Sequence, residues 1–228
     1  MLPLLKKKKK KNIDMECNTV GLINTKPDKV NLRLKKLSAD DGHDIYDMLQ
    51  SMPKDENGLV NKANGLSYED FKTWLAAKQK ESEQTCLVDG WKVPSTTYWL
   101  YADTFPVGFG NLRHFLTEAL NNAGGHIGYG IAPQYRGKGY GKELLRLLLI
   151  EAKKIGLEKV LITIHSDNIA SLKVALANGG VITEKTEERV YIWIELSSIK
   201  DYERLTATKT LFAELKKGED SAAKNGVC

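Results

Sequence analysis

Cysteine is scarce in this sequence. Cys17, Cys86 and Cys228 are odd in number and far apart, so they form neither a CxxC metal or redox motif nor a disulfide framework, and a reducing cytoplasm is the expected compartment. Nothing near Cys86 in sequence resembles an activating partner, which argues against a cysteine nucleophile. No metal is expected. Long apolar runs are missing too. The opening Met1-Leu2-Pro3-Leu4-Leu5 followed by six lysines reverses the order of a secretory signal and is far too short to span a bilayer, so a membrane partner is not expected. A basic fold is also lacking, because the run Lys6 to Lys11 alone outweighs the formal charge of +5. A phosphate-backbone binder needs its positive charge on a folded face, so a nucleic-acid partner is not expected either. There are no internal repeats and no sharp internal linker.

What remains is an ordinary globular composition, 42% hydrophobic and 28% charged, in 228 residues. That suits one domain with appendages. Residues 1–29 read as a disordered basic tail, residues 30–196 as the folded domain, and residues 197–228 as a polar extension, helical around Leu205 to Leu215.

Periodicity divides the domain into elements. Residues 30–37 alternate as a half-buried strand, and Ser38, Asp40 and Asp41 offer caps for a helix through Ile45, Met48 and Leu49. Pro53 to Gly65 reads as loop. A second helix starts at Ser67, with Tyr68, Phe71, Trp74 and Leu75 as a core-facing stripe. Residues 96–102 and 105–109 read as a hairpin, and Leu112, Phe115, Leu116, Ala119 and Leu120 as a short helix broken by Gly124-Gly125. A strand over 126–132 stops at Pro133, and a leucine-rich helix over about 141–155 follows the glycines. Residues 159–165 form a continuous apolar run suited to a buried strand. A helix capped by Asp167 or Asn168 and two closing strands, 181–183 and 189–196, complete the list.

The chemistry lies between the strand at 126–132 and the leucine-rich helix. In Arg136-Gly137-Lys138-Gly139-Tyr140-Gly141, glycines at alternate positions let backbone amides approach an anion at a helix N-terminus, and Arg136 and Lys138 add charge beside it. That is a pyrophosphate site. A Walker A loop would need glycine at 136 and Ser or Thr at 143, and a dinucleotide fingerprint would need glycine at 142. Those positions hold Arg136, Glu143 and Lys142, so both fail.

The stretch from Pro133 to Leu145 instead resembles the Arg-x-x-Gly-x-Gly acyl-CoA motif of the GNAT acetyltransferase superfamily. Asn168-Ile169-Ala170-Ser171 with Gly179-Gly180 resembles that family's second motif. Arg113, His114 and Gly124 to Tyr129 further resemble a branch of predicted acetyltransferases of unspecified acceptor. The resemblance implies an α/β fold with a mixed, mostly antiparallel central sheet, splayed central strands and helices on both faces. It implies acetyl-CoA as co-substrate and an amine acceptor. Ile131 and Ala132 would hold the pantetheine arm and thioester carbonyl beside a strand bulge, the amides of Gly137 to Gly141 the diphosphate, and Asn168 and Ser171 the arm's far side.

Two family features are absent. The strand before the turn offers no glutamate base, which leaves His126, on the two-residue period of Gly128 and Gly130, as catalytic base or as a histidine that orders the double-glycine turn. The usual tyrosine acid falls at Ala175, leaving Tyr129, Tyr140 or water to protonate the departing thiolate. Arg113 and His114 are candidates for the acceptor pocket, and His165 reads as a core histidine. Two readings follow: an enzyme in which the amine acceptor attacks the thioester directly within a ternary complex, or a non-catalytic acyl-CoA sensor of the same fold. A homodimer is left open.

Overall fold

The computed structural model describes residues 30–89, 92–197 and 199. The basic tail, and the extension with its expected helix, lie outside them apart from Ser197 and Ile199.

The elements run in the order β1 (Leu32–Lys36), α1 (His43–Ser51), β2 (Asp55–Glu56), β3 (Leu59–Val60), α2 (Tyr68–Ser82), β4 (Ser95–Ala102), β5 (Phe105–Arg113) and α3 (Glu118–Asn122). Then come β6 (Ile127–Ile131), a single 3-10 turn at Pro133–Tyr135, α4 (Tyr140–Lys154), β7 (Lys159–His165), α5 (Ile169–Leu176), β8 (Val181–Lys185) and β9 (Arg189–Glu195). β1, β4, β5 and β6 form one antiparallel sheet in that order, and β7, β9 and β8 a second. This is the mixed α/β arrangement with splayed central strands that the resemblance implied: β6 and β7 are neighbours without a ladder between them.

Each sheet face is covered by the helices whose apolar stripes fit it. On one side α4 packs across β1, β5 and β6, and its Leu144, Leu145, Leu148 and Leu149, all 0% exposed, join a core that also takes in side chains of β4, β7 and β9. Removing each such side chain from water contributes about 2 kcal/mol. Gly110 permits this approach, since a methyl group there would meet Leu148 Cδ1 at 2.4 Å. On the other side α1 and α2 pack Ile45, Leu49, Phe71 and Leu75 onto Trp99, Tyr101 and Phe109. Buried Asp41 ties α1 to this sheet, accepting from the Trp99 indole N–H at 2.6 Å and from the Ser38 amide at 2.9 Å.

Three local expectations change. Leu112 and Arg113 belong to the end of β5, and the helix after them is only α3, because the ladder to β6 claims Leu112 opposite Ile127. Pairing there outweighs the helical spacing of the apolar residues. The bulge expected in the strand before the turn is absent from its pairing with β5, which runs in register from Gly108–Ile131 to Leu112–Ile127. Finally, the loop over 53–65 contains the β2–β3 hairpin, turned by Asn57 (φ 53°) and Gly58 (φ 80°).

Candidate active site

The two sheets are joined at one point and part from there. At the joint, the His126 amide donates to the Leu161 carbonyl at 2.7 Å, and the Leu161 amide donates to His126 Nδ1 at 2.9 Å. The Gly124 amide donates to Thr163 Oγ1 at 3.0 Å, and Arg113 donates to the carbonyls of Gly124 and Gly125 at 3.0 and 2.8 Å. Gly125 sits at φ +61°, and a side chain there would come within 2.5 Å of the Leu161 carbonyl oxygen, so only glycine allows the closure.

Beyond this joint the gap between β6 and β7 opens into a cavity of about 970 Å³. It runs from the glycine turn at one end, past Gly128, Gly130, Thr163 and Ile164, to α2 and the start of β4 at the other. The β2–β3 hairpin lies across it. Leu59 packs over the two strand glycines, where a methyl at Gly130 would meet Leu59 Cδ2 at 2.6 Å, and Gly58 at the hairpin tip abuts His165. So the strand that lacks a carboxylate has glycines on this face because a leucine from the hairpin fills the space.

The turn has the geometry of an anion site. Gly137 and Gly139 adopt φ of 76° and 81° with open space where a Cβ would stand, and Gly139 is the N-cap of α4. Helix geometry leaves the amides of Tyr140, Gly141 and Lys142 without intrahelical partners, and those of Gly137, Lys138 and Gly139 meet no acceptor among the described residues. Gly137, Gly139, Tyr140, Gly141 and Lys142 line the cavity, and the Lys138 ammonium lies 5.5 Å from the Tyr135 ring centroid.

Arg136 is committed elsewhere. Its Nε donates to the Ile131 carbonyl at 3.0 Å and its two terminal nitrogens grip Glu56 of the hairpin. The Ala132 amide, expected to face a thioester, donates instead to the Val107 carbonyl at 2.9 Å and so continues the β5 ladder. Asn168 caps α5 by accepting from the Ser171 amide at 3.1 Å, and the Ser171 hydroxyl meets the Tyr129 hydroxyl at 2.9 Å. All three side chains line the cavity. Burial pushes the Tyr129 phenol up to about 12, although its bond to Ser171 pulls the other way.

His126 stands at the joint between the sheets. It is buried, is not among the residues lining the cavity, stands edge-on to Trp193 and spends Nδ1 on the Leu161 amide. Burial first, and the neighbouring Arg113 charge second, lower its pKa from 6.5 to about 4. The imidazole is therefore a neutral bridge between the sheets.

Arg113 and His114 separate where β5 ends, since Arg113 is the last strand residue and His114 begins the bend beyond it. Arg113 lines the cavity, with its pKa lowered by burial, whereas His114 bonds Thr96 Oγ1 at 2.9 Å away from it. Ala175 is fully buried on the inner face of α5.

Sequence reasoning passed over Glu56 and Leu59 of the hairpin, and Lys78, Glu81 and Lys92 at the far end, all of which line the cavity. The hairpin had a signal, Asn57-Gly58, whose residues suit the left-handed turn of a tight hairpin. The far-end residues had none, because they meet only in space. Trp74, read as part of a core stripe, also faces the cavity. Among the described residues no cluster of His, Cys, Asp or Glu could hold a metal, and no helix is long and apolar enough to cross a membrane.

Comparison with known proteins agrees with this fold. The ribosomal-protein α-N-acetyltransferase RimL, solved with coenzyme A, superposes with a TM-score of 0.54 at 15% identity, covering 74% of this chain and 96% of RimL. An N-acetyltransferase from Staphylococcus aureus Mu50 gives 0.50 at 16% identity, covering 73% and 99%. A chimera of the spermidine N-acetyltransferase SpeG from Vibrio cholerae gives 0.50 at 14% identity, covering 74% and 97%. Among curated proteins none matches the sequence. The profile of the acetyltransferase (GNAT) domain matches residues 31–181, and the chain belongs to that family.

Proposed function

We propose that this protein transfers an acetyl group from acetyl-CoA to a primary amine, the amine attacking the thioester carbonyl directly while both substrates are bound. The observation that carries the proposal is the continuous cavity, with an anion-binding helix N-terminus at one end and polar side chains at the other. The likeness to relatives named for a protein α-amino group and for spermidine, at 15% and 14% identity, is one of fold and does not fix the acceptor.

In this reading the amides of Gly137 to Lys142 hold the diphosphate, and Lys138 and Lys142 add charge beside it. Asn168, Ser171 and Tyr129 border the pantetheine arm. Ala132 is not available to it, and Arg136 acts indirectly by anchoring the hairpin roof to the carbonyl of Ile131. Attack forms the new C–N bond and breaks the C–S bond. The cavity-lining carboxylates among the described residues, Glu56 and Glu81, are both held by cations. We therefore assign removal of the amine proton to water. Tyr129, kept neutral by its raised pKa, donates a hydrogen bond to the leaving sulfur.

The same shortage of a free base is what favours a second reading, an acyl-CoA sensor. Thermal shift with acetyl-CoA and with pantetheine, followed by thiol release over an amine panel, separates them. Acetyl-CoA should raise the midpoint far more than pantetheine, and an amine should stimulate release of free thiol. Equal shifts would dismiss the turn as the diphosphate site. Binding with no amine-stimulated release would leave the sensor.

A further inference from the structure

The end of the cavity away from the glycine turn has an unbalanced charge. Lys62, Lys78, Lys92 and Arg113 line it, and Glu81 is the one carboxylate there among the described residues. Trp74, Lys78 and Glu81 follow at intervals of four and three residues, which places them on one face of α2. The ammonium groups of Lys78 and Lys92 converge on Glu81 Oε2 at 2.9 and 2.5 Å, with the Glu81 side chain only 7% exposed.

As a stabilising device the cluster is poor. Glu81 Oε1 and the Trp74 indole N–H are both shut from solvent without a hydrogen-bond partner among the described residues. A buried ion pair contributes little net stability, and an unpaired carboxylate oxygen subtracts from it. Burial works to raise the Glu81 pKa, yet the two lysines outweigh it and hold the group charged, while burial chiefly lowers that of Lys78. What the cluster does achieve is to fix two ammonium groups on the cavity wall, each with donors to spare. Nearby Ser95, Thr97 and Asn111 supply further polar lining, and Arg113 closes the far side without a carboxylate partner among the described residues.

We infer that this end of the cavity receives an anionic group of the acceptor, so that the substrate class is a small primary amine carrying a carboxylate or phosphate. The inference rests on the acetyl-transfer reading above. A polyamine would bring a second ammonium group into a wall of four cations and one carboxylate, and a neutral alkylamine would leave the lysines unanswered.

The test compares amines of matched length with acetyl-CoA: ω-aminopentanoate, an ω-aminoalkyl phosphate, pentylamine and the corresponding diamine. The anionic amines should exceed pentylamine in kcat/KM by roughly 10- to 100-fold, the range of a charge-assisted hydrogen bond, and the diamine should be the poorest. The better of the two anions identifies the group. Lys78→Gln combined with Lys92→Gln should bring the ratio close to one, while Lys78→Arg, which keeps the charge, should preserve it; thermal midpoints establish that both variants fold. In parallel, the coenzyme A complex is titrated calorimetrically with pentanoate and with pentanamide, where the wild type should prefer pentanoate and the double variant should not. Pentanoate binding without turnover of any amine would remove the acetyl-transfer reading and keep the anion pocket. Equal binding of pentanoate and pentanamide, or an unchanged ratio in the double variant, overturns the inference.

Discussion

His126 offers the sharpest test of how this molecule is built, because its two readings predict opposite results. As the bridge between the sheets it is neutral when folded, with its pKa lowered to about 4, whereas in the unfolded chain it returns to 6.5. Above 6.5 both states hold it neutral and its burial carries no protonation penalty. As pH falls below 6.5 the unfolded state takes up the proton first, so stability is lost progressively until the folded state also protonates near 4. At about 1.4 kcal/mol per pH unit the loss accumulates to roughly 3 kcal/mol. His126→Asn is the informative perturbation, since an amide oxygen can accept from the Leu161 amide as Nδ1 does but does not titrate. Urea unfolding followed by tryptophan fluorescence, repeated in steps from about pH 7.5 to about pH 4, gives the two stability curves. Carboxylates that titrate in the same range affect both proteins alike, so the difference between the curves isolates the imidazole. The variant should start lower, having lost the ring contact with Trp193, and the gap should narrow by roughly 3 kcal/mol toward acid pH. Parallel curves would refute the assignment, and so would a wild-type activity profile with an inflection near 6.5 that the variant lacks.

Other expectations follow from the same geometry. Gly139→Asp places a negative charge at the α4 N-terminus and a side chain at φ 81°, and should weaken coenzyme A binding by at least about 100-fold in calorimetry while the protein stays folded. Tyr129→Phe removes the phenol hydrogen bond and should lower kcat by roughly 10- to 100-fold with the acetyl-CoA KM little changed; a fall in affinity alone would make Tyr129 a wall of the pantetheine channel. Gly125→Ala drives a methyl against the Leu161 carbonyl at a left-handed position, and should cost about 2 kcal/mol or more of stability; a loss below about 0.5 kcal/mol would show that the joint can shift.

Much of this protein could be read along the chain because the relevant physics is local. Alternation and helical spacing located α1, α2, α4, α5 and most strands, Asn168 was legible as the cap of α5 though the expected caps of α1 gave way to Gly42, and Gly137 and Gly139 marked the turn into α4, since a left-handed backbone at a helix start depends on the residues of the turn itself. Tertiary structure decided the rest wherever two distant segments compete for one group. The ladder to β6 took Leu112 and Arg113 from a helix, and Val107 claimed the amide of Ala132. The Leu161 backbone, 35 residues away in sequence, claimed the ring nitrogen of His126 and turned a candidate base into a joint. The polar end of the cavity joins residues from α2, β4, β5 and the segment at Lys92, whose charges meet only when those elements pack. No periodicity records such a meeting, because the field at a site sums over neighbours in space, while a sequence pattern registers neighbours along the chain.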